Sequence, residues 1–150
     1  MAGIRFKMNV DKTGQIAQPT LSSAECWAIG QEMVRSQKER WSKGINAYDQ
    51  AAKPLAPVTA KGKATYRGIG NPIRDMVMSG LTKDNFTLRK ASMQEIRAEN
   101  TSVEGRRRAR QAQSFETMIG LSPTDRDHIF QAANRAYGVY LNRAWRPRNG

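Results

Sequence analysis

The chain has 150 residues, with 25 Lys and Arg against 13 Asp and Glu for a net charge of +12, one cysteine, and 39% apolar residues. A single cysteine excludes an intrachain disulfide and any zinc site built on several thiolates, and no run of 18 apolar residues is present to span a membrane as a helix. The length fits one domain, 1–150, the charge points to anionic partners, and the modest apolar share predicts segments held by partners as well as by a core.

The N-terminus, MAGIRFKMNV, lacks the apolar stretch of a signal peptide, so a reducing cytoplasm is the expected place of synthesis. From Ile4 to Val10 apolar and polar residues alternate strictly, which predicts a strand with one buried face. Asp11–Gly14 reads as a turn, and residues 15–21 as a linker with Pro19.

A long helix is predicted over Ser22–Lys43. Ser22 and Glu25 have the spacing of a capping box, and Gly44 is suited to end the helix. Cys26, Trp27, Ile29, Gly30, Met33, Val34, Gln37 and Trp41 form one stripe, while Glu32, Arg35, Lys38, Glu39 and Lys43 populate the remaining surface. Such a stripe faces a core, with Cys26 as a small apolar residue; Trp41 is also a candidate partner anchor, because tryptophan is enriched at binding hot spots.

Residues 44–84 hold three of the six prolines and five of the twelve glycines, yet include many apolar residues. A segment of this kind is expected to be an extended arm that docks on its own domain or on a neighbour. Its candidate anchors are Leu55, Tyr66, Ile73 and Met76.

Residues 85–91 and 93–99 read as two strands of a hairpin, with Phe86 and Leu88 alternating on the first and Ile96 and Ala98 on the second. Residues 115–121 are a candidate further strand. Between them lies the densest charge cluster, Arg106, Arg107, Arg108 and Arg110. Ser122-Pro123-Thr124-Asp125 then opens a helix to about Asn142, with an N-cap serine, proline at the first helical position and an acid in the first turn. Its stripe is Ile129, Ala132, Ala133, Ala136, Tyr137 and Tyr140. The tail 143–150 is basic and contains Trp145, Arg146 and Arg148. The predicted class is α+β: two main helices on a small, mainly antiparallel sheet, with a long extended arm.

No nucleotide-loop, nucleophile-elbow or HExxH pattern occurs, and His128, the one histidine, has no nearby Cys or His to share a metal. The residues therefore predict no catalytic, cofactor or metal site. Arg106, Arg107, Arg108, Arg110, Arg146 and Arg148 are candidates for contacts with phosphates or with an acidic partner, and Trp145 for stacking on a base. A basic nucleic-acid-binding module is one functional class that these residues fit.

A second class comes from the order of short motifs. Gly44-Ile45-Asn46-Ala47-Tyr48-Asp49 is followed by Lys53-Pro54-Leu55-Ala56-Pro57, then Pro72-Ile73-Arg74-Asp75-Met76-Val77-Met78-Ser79-Gly80, a hairpin, and Gly120-Leu121-Ser122-Pro123-Thr124-Asp125 opening the last helix. Over roughly residues 24–141 this order resembles the phage virion morphogenesis proteins of the neck and tail-completion type. Ile119 stands where that family often has an aromatic residue. The resemblance implies a non-enzymatic structural part of a virion at the head–tail junction, a neck or connector protein or a tail-completion protein. It implies neck, tail or portal-associated partners and a homo-oligomer or ring. It also implies host cytoplasm before assembly and the virion afterwards. No membrane is expected, and contact with packaged DNA remains open.

Overall fold

The computed structural model describes residues 3–6, 21–67 and 83–144. In chain order they form strand β1 (Gly3–Phe6), helices α1 (Ser23–Ser42) and α2 (Pro57–Arg67), strands β2 (Phe86–Ala91) and β3 (Ile96–Asn100), and helices α3 (Val103–Phe115) and α4 (Pro123–Ala144). The class is α+β, as predicted.

The sheet runs in the order β1-β3-β2, and both pairings are antiparallel. The predicted first strand is described over 3–6; its residues 7–10 lie outside the described chain. β2 and β3 make the predicted hairpin, but the connection takes up residues 92–95. There the Ser92 N–H donates to the Glu95 carbonyl at 2.9 Å and the Ser92 hydroxyl accepts from the Glu95 N–H at 3.2 Å. Those local bonds close a turn over the first residues of the predicted second strand.

α1 starts at the predicted capping box. The Glu25 N–H donates to Ser22 Oγ (3.2 Å), and the Ser22 N–H to Glu25 Oε2 (2.7 Å). It ends where Gly44 adopts φ 64°, with the Gly44 N–H on the Trp41 carbonyl and the Ile45 N–H on the Arg40 carbonyl. This left-handed exit satisfies the last carbonyls of the helix. The predicted stripe is buried except for Trp27, which is 45% exposed; Arg40, outside that stripe, is buried as well. Gly30 lets the helix approach the sheet closely: a Cβ there would stand 2.7 Å from both terminal carbons of Leu88.

The core joins Cys26, Ile29, Met33, Val34 and Trp41 of α1 to Phe86, Leu88, Ile96 and Ala98 of the sheet. Trp41 meets Phe86 edge to face, with ring centroids 5.1 Å apart. α4 packs along α1 and brings Ile129 to the core, with Ala132, Ala133, Ala136 and Tyr137 against it. Burial raises the pKa of the Cys26 thiol above its ordinary value, which keeps the thiol protonated.

Two sequence expectations are corrected. Residues 115–121 are not a strand, because Phe115 ends α3 and side chains take up the backbone groups that follow. Gln113 Oε1 accepts from the N–H groups of Met118 and Ile119, and Gln113 Nε2 donates to the Ile119 carbonyl. Once satisfied in this way, those groups need no neighbouring strand. The arm is not extended throughout, since Pro57–Arg67 is the helix α2. Proline discourages helix before it but fits the first helical position, and no further proline occurs until Pro72.

Candidate functional site

Two of the segments that carry the motif order, 44–49 and 120–125, meet at the C-terminal end of α1. Arg40 is the centre of the joint. Its Nε donates to Asp125 Oδ2 (2.9 Å), Nη1 to the Ile45 carbonyl (3.0 Å), and Nη2 to the carbonyls of Met118 (3.1 Å) and Gly120 (2.8 Å). One planar guanidinium thereby ties α1 to the 44–52 loop, the 116–122 loop and the start of α4. Gln37 Nε2 adds a bond to the Gly120 carbonyl, and Trp41 Nε1 one to the Met118 carbonyl, both at 2.8 Å.

Ser122 and Asp125 at the α4 N-terminus are buried in this joint, so their N–H groups need acceptors. Ser122 Oγ accepts from the Asp125 N–H, and the Asp125 carboxylate accepts from the Ser122 N–H, each at 3.1 Å. The Thr124 N–H donates to Asp49 Oδ2 at 2.8 Å, and the Arg126 N–H to the Ser122 carbonyl at 3.0 Å. The first turn is therefore fully satisfied, one bond coming from a residue 75 positions away.

Asp49 makes that bond from φ 59°, a left-handed conformation costly for most residues. Desolvation works to raise its carboxyl pKa, but hydrogen bonds from Ser122 and Thr124 and the charge of Arg40 outweigh it, leaving the pKa below the ordinary 3.8. A folded value below the unfolded one gives stabilisation that is complete above the ordinary value and lost as pH falls through the folded one. Asp49→Ala removes the capping acceptor and keeps the backbone cost, for an expected loss of about 1–2 kcal/mol. Asp49→Gly relieves the backbone and should lose less. Asp49→Asn should lose least and abolish this part of the acid dependence. Urea midpoints across the acid range check the ranking; an Asp49→Ala protein as stable as the parent would refute it.

Ser36, His128 and Asp125 are the residue types of a nucleophilic triad, but they are wired in a different order. Ser36 Oγ donates to Asp125 Oδ1 at 2.7 Å and lies 2.8 Å from His128 Nδ1. The serine proton is committed to the carboxylate, so the imidazole nitrogen acts as donor and not as the base a nucleophile needs. This buried chain joins α1 to α4.

Of the predicted partner anchors, Trp41 is corrected to a core residue: it is fully buried, and its indole N–H is satisfied within the chain. Leu55 is half-buried, just before α2. Tyr66 lies in α2, and Ile73 and Met76 lie outside the described residues. The base of the arm belongs to the body, because Glu116 accepts from Asn46 Nδ2 (2.8 Å) and from the Lys53 N–H (2.7 Å). Asn46 and Ala47 are buried there. Beyond it, α2 packs on no other helix or strand among the described residues, and Val58 is 85% exposed.

The arginine cluster sits on α3, and three of its four members are engaged. Arg107 and Arg108 both pair with Glu104 at 2.7 Å, holding that carboxyl at about 2. Arg106 donates to the carbonyls of Asn100 and Thr101. Arg110 is exposed, with no such bond among the described residues. Trp145, Arg146 and Arg148 lie outside them.

Sequence reasoning missed Arg40 and underrated Asp125. The Ser-x-x-Asp spacing at 122–125 signals a cap, but nothing in sequence links it to a residue 85 positions earlier. Among the described residues no cluster of His, Cys, Asp and Glu could hold a metal ion, and no helix is long and apolar enough to cross a membrane. Comparison of the chain with protein-family models, curated proteins and solved structures gives no match.

Proposed function

We propose that this chain is a non-enzymatic structural component of a phage virion at the head–tail junction, a neck or tail-completion protein. What supports the reading is the convergence of two of the motif segments. Gly44–Asp49 and Gly120–Asp125, which carry the resemblance at its two ends, are bonded to one another through Arg40, Asp49 and Asp125. From that joint the chain leaves the body after Lys53, towards a helix that packs on no other helix or strand among the described residues. A helix of 11 residues with glycine at position 62 is marginal in water by itself, so a neighbouring subunit is the proposed source of its order. Conformational restriction by Pro54 and Pro57 lowers the entropy lost on docking.

Purified particles should contain a small fixed number of copies, and deletion of the gene should leave heads and tails that fail to join or finish. Full-size infectious particles without the protein would end the proposal. In the free subunit, amides of 57–67 should exchange fast while α1 and β3 are protected, and assembly should slow them. Strong protection of 57–67 in a monomer would remove the docking role of this segment.

A further inference from the structure

The sheet has one face on α1, and its other face carries a row of charge. On β3 the buried residues Ile96, Ala98 and Asn100 alternate with Arg97 and Glu99, which stand on the opposite face. Arg97 pairs in register with Lys90 of β2, and Arg5 of β1 occupies the register position on its other side. The pairing slips between Leu88 and Lys90, so that Arg89 is an extra residue and two β2 cations oppose Arg97.

Like charges directly across a sheet are destabilising. Arg89 has Glu99 at 3.4 Å and Lys90 has Glu95 at 2.9 Å, and both basic side chains remain about half exposed, at 53% and 52%. Among the described residues Arg97 has no such ion pair, and its Nε is buried without a hydrogen-bond partner. A buried donor without an acceptor is costly. The fold thus sustains two unfavourable features at one place, and a ligand carrying fixed anionic oxygens would relieve the charge repulsion.

We infer that this face of the sheet, through Arg89, Lys90 and Arg97, is a contact surface for the phosphate backbone of a nucleic acid. Charge density decides between this ligand and an acidic protein. A row of carboxylates matched to the cations would repel itself before binding, as the cations do. A duplex carries its charge covalently, about one per 1.7 Å of axis with both strands counted, so the roughly 10 Å spanned by three strands lies along a length of duplex that carries about six phosphate charges in all. Guanidinium forks match phosphate oxygens in pairs. Glu95 and Glu99 on the same face pair with Lys90 and Arg89, and Arg97 leaves the face with an excess of positive charge. The inference is independent of the virion reading and concerns a different surface from the arginines of α3.

The test uses the full chain and a short fluorescein-labelled DNA duplex of random sequence, with anisotropy read at about 50 and about 200 mM salt. The parent protein should bind and weaken steeply with salt. Arg89→Gln with Arg97→Gln should weaken binding about tenfold or more at the lower salt, and flatten the salt slope by about 0.9 for each phosphate that is no longer neutralised. Arg107→Gln with Arg110→Gln should leave both nearly unchanged. The Tm of Arg97→Gln should stay level or rise, because a like-charge repulsion is relieved. The inference is overturned by undetectable parent binding, by an unaltered slope in the sheet variant, or by an effect confined to the α3 variant. It is equally overturned if Arg97→Gln lowers Tm by several degrees, which would make the side chain structural. Displacement of the duplex by polyglutamate at equal charge would assign the face to an acidic protein instead.

Discussion

Arg40→Ala should remove about 3–5 kcal/mol of stability, the cost of leaving a buried charge without its partner. Against a total of about 5–15 kcal/mol for a domain, that is at least about a fifth of what holds the protein folded. The Arg40 side chain is 4% exposed and that of Asp125 1%, so solvent cannot substitute for the missing bonds. Three carbonyls, of Ile45, Met118 and Gly120, lose a donor together with the carboxylate. Arg40→Lys should recover only part of the loss, since an ammonium is a point charge without the fork that reaches several acceptors in one plane. Asp125→Ala should be comparably harmful, because it strips an acceptor from Arg40, from Ser36 Oγ and from the Ser122 N–H. The double variant should cost less than the sum, as both single changes break the same bond. Urea denaturation followed by circular dichroism reads all four. A loss below about 1 kcal/mol for Arg40→Ala would mean that the joint is not what holds the two loops to α1.

Trp41→Ala is the second large effect, with an expected loss of about 3–5 kcal/mol from the cavity beside Phe86. Trp41→Phe should cost about 1 kcal/mol or slightly more. It loses the indole bond, but the Met118 carbonyl keeps Arg40 Nη2 as a donor at 3.1 Å. The pair of variants separates two roles. A partner anchor, when truncated, abolishes association and leaves the free subunit stable; a core residue lowers the stability of the free subunit itself. Unchanged thermal unfolding of Trp41→Ala would make Trp41 a partner anchor after all.

The local elements were legible because their signals are local. Ser22 and Glu25 close a capping box within four residues, and Gly44 ends α1 because a left-handed exit suits a residue without Cβ. The alternation of Phe86 with Leu88, and of Ile96 with Ala98, marked the sheet face that α1 covers, and Ser122-Pro123 marked the start of α4. The α+β class follows from those periods, and α1 could be read as a core helix from its stripe alone. Arg40 could not be read in this way. A basic residue on a helix is normally solvated, and only the approach of two carbonyls and a carboxylate from distant segments makes it a buried hub. Residues 115–121 looked like a strand because their apolar content is independent of how their backbone is satisfied; Gln113, Gln37, Arg40 and Trp41 decided that through side-chain bonds. The arginine run on α3 stood out in sequence, yet Glu104 and the strand-end carbonyls occupy most of it. The row on the sheet was invisible there, because Arg5, Lys90 and Arg97 become neighbours only through strand register. Sequence by itself determined the periods, caps and total charge; long-range bonding and register decided which charges are buried, which are neutralised and which stand together, because those depend on distances between segments and not along the chain.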